Sequence, residues 1–310
     1  MDLAGISPIL LLASLMVAST PILLAALGEL VVERAGVLNL GVEGMMITGA
    51  ITGFATAVAT DSALIGFLGA AAGGAALSAL FAVLVLWLRS NQVATGLALT
   101  LFGLGVASLI GQSYNGIRAP AMPELRIPVL ADIPVLGPIL FQHDLVVYLG
   151  LALVAGVWWF LNRSRAGLTL RAVGENHEAA HALGYKVLRL RLLAILFGGA
   201  CAGLGGAYLS LVRVPQWTEG LTAGAGWIAL AIVVFASWRP LRLLLGAWLF
   251  GGISVLQLNL QAANVPVPVE LLSMAPYLVT ILVLVLISSG RGRAALAAPG
   301  SLGQPFHASR

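Results

Sequence analysis

The sequence predicts an all-α, polytopic membrane bundle of about nine spans (eight to ten), one of them a candidate broken helix. Three observations lead there. Of 310 residues, 60% are hydrophobic and 9% are charged, whereas soluble domains carry about 25% charged residues. So few charges cannot cover a globular surface in water. Nine stretches lack Asp, Glu, Lys and Arg: 3–28, 44–60, 62–88, 90–117, 145–162, 192–212, 220–238, 243–269 and 271–290. A crossing helix needs roughly 17–25 such residues. The stretches are continuously apolar rather than alternating, which argues against a barrel. Backbone groups in lipid must be satisfied within the segment, so helices follow.

Taken in order, the stretches alternate between two sides. If the polar loop 163–191 is cytoplasmic, so are 29–43, 89–91, 239–242 and the chain after 290. These hold thirteen of the sixteen basic residues, leaving Arg118, Arg126 and Arg213 opposite. That asymmetry follows the positive-inside rule. It puts the N-terminus outside and the C-terminus in the cytoplasm, and makes the net charge of +4 an orientation signal rather than a nucleic-acid signal. The first basic residue is Arg34, so the start lacks the basic region of a cleaved signal peptide and reads as mature sequence. The single cysteine, Cys201, lies in an apolar run and reads as a packing residue.

Residues 29–43 break the hydrophobic map. Gly36 and Gly41 interrupt them, and Asn39 and Glu43 sit among apolar neighbours. A carboxylate at the bilayer centre costs about 2.5–3.5 kcal/mol, so Glu43 requires a partner or water. Two readings stand together: a broken helix lining a cavity, or a cytoplasmic turn carrying Glu29, Glu33 and Arg34. Polarity marks Asn39, Glu43, Thr48, Asn91, Gln92 and Thr95 as candidates for a polar path. Asn91 and Gln92 also read as an interfacial turn beside Arg89.

Residues 114–143 hold Pro120, Pro123, Pro128, Pro134 and Pro138 and are expected to form an ordered external cap, not a helix. Gly49/Gly53, Gly69/Gly73 and Gly199/Gly203 are Gly-x-x-x-Gly pairs that let helices approach closely. Residues 291–310 are polar and rich in Gly, Pro and Ser. They are expected to be a disordered cytoplasmic tail following a transmembrane domain over 1–290.

The stretch 163–191 holds six of the basic residues, including the only lysine, Lys186. A charged helix-turn set in an apolar chain must stand in water, against another protein. Within it, Ala179 and Ala180 give a smooth helical surface, and Gly184 permits the turn that ends the helix. Glu178 and the flanking Arg171, Lys186 and Arg189 supply polar contacts at the rim.

Three stretches carry a resemblance. Gly28-Glu-Leu-Val-Val-Glu-Arg-Ala-Gly-Val-Leu-Asn-Leu-Gly-Val-Glu-Gly-Met-Met46 resembles the N-terminal signature of ABC importer permeases of the branched-chain amino acid, ribose and nucleoside branch. Leu170-Arg-Ala-Val-Gly-Glu-Asn-His-Glu-Ala-Ala180, followed by Gly184, is similar to their cytoplasmic loop. Gly220-Leu-Thr-Ala-Gly-Ala-Gly-Trp-Ile-Ala-Leu-Ala-Ile232, ending in Trp238-Arg-Pro240, is similar to their late segment. The likeness is nearest to nucleoside (simple-sugar-type) permeases that work with a basic membrane lipoprotein.

The resemblance implies a permease subunit in the bacterial inner membrane, paired with a second related permease to form one translocation path that works by alternating access. It also implies an ATP-binding subunit docked on the loop and a substrate-binding lipoprotein outside. Arg171, Gly174, Glu175, Asn176, Glu178, Ala179, Ala180 and Gly184 would form the coupling surface. The substrate would be a nucleoside; sugars such as ribose and branched-chain amino acids are the alternatives. ATP and Mg would be bound by the partner, with no cofactor in this chain. The lone lysine is followed by Val187, so no Gly-x4-Gly-Lys-Ser/Thr loop exists here.

Two rivals come from other classes. His177-Glu-Ala-Ala-His181 is a literal His-Glu-x-x-His, the zinc-protease pattern. It needs a third ligand, and the downstream carboxylates Glu219 and Glu270 fall opposite, while the one later histidine, His307, lies in the tail. A proton- or sodium-driven transporter would need ionisable groups deep in several spans, and the nine runs hold none.

Overall fold

The computed structural model describes residues 8–126, 128, 130–263, 267–288 and 298–307. The chain runs as helix α1 (Pro8–Arg34), α2 (Val42–Thr60), α3 (Ala63–Ala82) and α4 (Gln92–Gly111), then the short strand β1 (Glu124–Arg126) and helix α5 (Leu136–Leu140). Strand β2 (Gln142–Asp144) precedes α6 (Leu145–Arg163), α7 (Arg165–Glu175), α8 (His177–Ala182) and α9 (Val187–Tyr208). Helices α10 (Ala225–Phe235), α11 (Pro240–Ala262) and α12 (Val269–Ser288) follow. A wide helical turn carries α3 on to Trp87 and α9 on to Arg213. Among the described residues, seven helices are long and apolar enough to cross a bilayer: α1, α2, α3, α4, α6, α9 and α11.

The expected runs differ from these helices in ways that have physical causes. Helix α1 does not stop at the first carboxylate. It passes through Glu29 and Glu33, both 1% exposed, because the surrounding protein, not lipid, takes up their polar atoms. Helix α9 likewise takes in Arg191, which is fully buried. The run 220–238 is not a full span: its helix is only 11 residues long. Gly220, Ala223 and Gly224 have φ of 69°, 44° and 87°. Left-handed residues cannot propagate a right-handed helix, so 214–224 stays irregular and α10 begins late.

In the cap 114–143, β1 and β2 pair antiparallel, with Glu124 opposite Asp144 and Arg126 opposite Gln142. The cap was expected to hold no helix, yet α5 forms there. Pro138 is its third residue, in the first turn, where a missing N–H costs nothing. The Asp144 carboxylate then starts α6. One oxygen accepts from the N–H groups of Val146 (2.9 Å) and Val147 (3.2 Å), and the other accepts from Tyr208 Oη at 2.6 Å.

Helices α1, α2, α3 and α9 form the centre, and α4, α6 and α11 pack around them. The centre depends on missing side chains. A Cβ at Gly206 of α9 would meet the Met46 carbonyl oxygen, and one at Gly49 of α2 would meet Gly203. The Gly-x-x-x-Gly pairs therefore mark real contacts, as small residues do between membrane helices. Gly206→Val is expected to cost about 1–3 kcal/mol as overpacking. It would show as a lower unfolding temperature of the detergent-solubilised chain.

The tail expected to be disordered is packed where it is described. Phe306 is 7% exposed and Ser301 is 4% exposed. Phe306 clusters with Val173, Ala180 and Val187, and the Ser301 N–H donates to the Gly174 carbonyl at 2.9 Å. Composition concealed this, since a few well-placed groups anchor an otherwise polar segment.

Candidate functional site

The first site is a polar node inside the bundle, built by 29–43 and 222–238. The turn after α1 is neither a solvated loop nor a lipid-exposed break. Ala35, Val37 and Asn39 are fully buried. The Asn39 N–H and Nδ2 donate to Glu29 Oε1 (3.3 Å) and Oε2 (3.4 Å), and Asn39 Oδ1 accepts from the Gly41 N–H at 2.9 Å. Glu33 Oε2 accepts from the Trp238 indole at 2.5 Å. Arg34 Nε and Nη2 donate to the Trp238 carbonyl at 3.2 and 3.0 Å.

Glu43, in the first turn of α2, completes the node. Its Oε1 accepts from Thr222 Oγ1 (2.5 Å) and the Gly224 N–H (3.0 Å), and its Oε2 from the Gly226 N–H (2.7 Å). Those N–H groups open α10, so the carboxylate sits on a helix N-terminus, where the free donors and the helix dipole favour it. Next to it, Gly44 packs on Leu99 and Thr100, near the middle of α4. Helix α10 thus starts about halfway through the bundle. A half-helix beginning at that depth is the kind of irregular backbone found at translocation paths.

Of the six path candidates, five are engaged locally. Besides Asn39 and Glu43, Gln92 Oε1 accepts from the Leu38 N–H at 2.8 Å. Asn91 caps α4 through the Ala94 N–H at 3.0 Å, and Thr95 shares a hydroxyl bond of 2.8 Å with Ser90. Thr48 differs, because its buried hydroxyl has no partner among the described residues. Sequence reasoning missed a second polar group. A cavity of about 390 Å³ is lined by Ser14, Arg213 and Asn259 at the ends of α1, α9 and α11. The clue lay in Arg213, one of the three basic residues that the expected alternation of spans set apart from the other thirteen.

The second site is the pair α7–α8. Ser164 and Asn176 start the two helices by accepting from Gly167 N–H (2.9 Å) and Ala179 N–H (2.9 Å). Gly184, φ +88°, ends the motif. Glu175, Asn176, Glu178, Ala179 and Gly184 are exposed, and Arg171 is half-buried. Gly174 and Ala180 are buried instead: Gly174 packs on the Arg34 carbonyl, and Ala180 on the Phe306 cluster. The outward tip is Leu183, 78% exposed, beside Tyr185, 42% exposed. These two apolar groups escaped the sequence reading, which looked for small and charged residues.

Behind α8 lies Arg191. It donates to the carbonyls of Ala35 (3.1 Å) and Gln304 (3.0 Å) and to His177 Nδ1 (3.2 Å). Burial first, and the Arg191 charge second, hold the His177 imidazole below its ordinary pKa of 6.5. The rings of His177 and His181 meet Phe306 edge-on at 5.5 and 5.2 Å. Both histidines of the His-Glu-x-x-His stretch thus pack on Phe306, and among the described residues no three His, Cys, Asp or Glu side chains gather as a metal site.

Residues 11–287 match the family model described as branched-chain amino acid transport system / permease component. The chain is 41% identical to a putative glucose ABC transporter permease of Haloferax volcanii, over 94% of this chain and 95% of that protein. It is 34% identical to a guanosine ABC transporter permease of Bacillus subtilis, over 92% and 93%. It is 32% identical to a nucleoside ABC transporter permease of Lactococcus lactis, over 89% and 92%. No solved structure matches.

Proposed function

Since the chain belongs to the family of branched-chain amino acid transport system permease components and is the membrane permease subunit of an ABC importer, we propose that its cargo is a nucleoside. We also propose that α7–α8 is the point at which a separate ATP-binding chain drives it. Two relatives whose names specify guanosine and nucleosides, each covered over most of its length, support the cargo. A sugar is the second reading, favoured by the 41% identity to a putative glucose permease. Both cargoes present ribose- or hexose-like hydroxyls.

The single observation that carries the coupling role is the exposed α8 tip. Glu178, Ala179 and Leu183 stand out from an otherwise apolar bundle, while Ala180 and Gly184 shape the turn beneath them. In this reading the basic residues face the cytoplasm of a plasma membrane, with the N-terminus outside. A second permease faces the half-helix α10, and a binding lipoprotein delivers substrate near the cap 114–143. Nucleotide and Mg are held by the partner ATPase. Motion of α8 reaches the node through α7 and α9, whose ends touch the 35–36 turn at Gly174 and Arg191. In this reading Thr48, whose buried hydroxyl lacks a partner among the described residues, lies beside the path, and Asn39 and Glu43 hold its walls.

Uptake of labelled guanosine, uridine, ribose, glucose and leucine, in cells with and without this chain, decides the cargo. Guanosine and uridine should enter only when the chain is present. Entry of glucose alone would replace the nucleoside reading with the sugar one. For coupling, Leu183→Asp is expected to cut ATP-driven uptake at least about tenfold, roughly 1.4 kcal/mol of lost docking. The level of inserted protein should be unchanged. Full uptake by that variant would remove α8 as the contact.

A further inference from the structure

A recess at the end of the bundle near α7 gathers an unusual lining. Four guanidinium groups (Arg34, Arg171, Arg239 and Arg242) and two indoles (Trp158 and Trp238) surround a cavity of about 540 Å³, with no carboxylate in its wall among the described residues. A carboxylate, Glu175, lines only the adjoining recess of about 270 Å³, which shares Arg34 and Arg171. Two further features favour an anion. Arg171 Nε is buried without a hydrogen-bond partner among the described residues. Helix α11 begins here with Pro240 in its first turn and no side-chain cap at Arg239, so the N–H groups of Leu241 and Arg242 are free to donate.

The setting identifies the source of that anion. The recess is walled by the ends of crossing helices α1, α6 and α11. Trp158, Leu241 and Leu245 of those helices are 37%, 55% and 62% exposed, so their outer faces look towards hydrocarbon. Charged heads beside apolar flanks, with indoles between them, match the level at which lipid phosphates lie. We propose that this recess, formed by Arg34, Arg171, Arg239, Arg242 and the start of α11, binds the phosphate of an anionic lipid headgroup. Phosphatidylglycerol or cardiolipin would fit this description. The lipid would bridge α1, α7 and α11, the elements on which the node and the docking helices rest.

Native mass spectrometry of the full-length chain, titrated with phosphatidylglycerol or phosphatidylcholine of equal acyl length, tests this. Phosphatidylglycerol should be retained at about tenfold lower concentration. Arg239→Gln/Arg242→Gln changes two exposed side chains and should erase the preference. Lys186→Gln/Arg189→Gln, with the same loss of charge elsewhere, should keep it. Excess inorganic phosphate should not release the lipid. Equal retention of the two lipids by the unaltered chain overturns the proposal, even if the double variant fails to fold. Displacement by inorganic phosphate would instead make this a site for a soluble anion and overturn the lipid assignment. Loss of a bound ATPase subunit from the Arg239/Arg242 variant, with lipid retention unchanged, would make it a protein contact and equally overturn it.

Discussion

Glu43→Ala should abolish uptake and destabilise the chain by roughly 4 kcal/mol, since hydrogen bonds to a charged group contribute about 1.5–3 kcal/mol each and do not add fully. The carboxylate accepts from Thr222, Gly224 and Gly226 and is 5% exposed. Its removal leaves the N–H groups that open α10 unsatisfied at a depth where water is scarce. Glu43→Gln should fall between the two, because its amide nitrogen would face a backbone donor. Thr222→Val removes one bond of the three and should cost less than either. Thermal unfolding in detergent reads the stability, and labelled-substrate uptake reads the function. Unchanged unfolding and uptake in Glu43→Ala would show that α10 is positioned by something else.

Arg191→Met is expected to free the 298–307 segment and to lower stability by about 3 kcal/mol, for the three bonds it makes. Methionine keeps much of the volume but none of the donors. The bonds to Ala35, Gln304 and His177 join the turn after α1, the tail and α8 in one place. Hydrogen exchange should therefore rise in 35–37, 177–182 and 298–307 together. Exchange rising in only one of these would mean that the three are not linked through Arg191. The same contact sets a pH dependence. His177 titrates below 6.5 when folded, so the unfolded chain takes up the proton first. Its contribution is present above about pH 6.5 and declines as pH falls below it. Removing residues 298–310 should reproduce the exchange increase in α8 without affecting the interior node.

Much of this was legible in the residues, and the reasons for the rest are specific. The three stretches that carried the resemblance, 28–46, 170–184 and 220–240, are brought together by folding. Glu33 meets Trp238, Glu43 meets Gly226, and Gly174 meets Arg34. Each is recognisable because each is shaped by the others. A rule that ends a span at its first charge placed Glu29 and Glu33 in a loop. It could not know that Glu29 is met by Asn39 of the buried turn and Glu33 by Trp238, about two hundred residues away. The apolar run 220–238 read as a full span because composition does not reveal backbone sign at Gly220, Ala223 and Gly224. Leu183 went unnoticed for a similar reason: one leucine among many is distinguished only by where it points.

The packing of 298–307 against α7 and α8 orders events in time. Those ten residues leave the ribosome after every helix they brace. A chain still being made can thread its segments through the membrane, but α7 and α8 lack this brace until residues 298–307 have been added. If α8 has the coupling role proposed for it, synthesis thus carries its own timer, because the docking helices are set only after the spans that precede them.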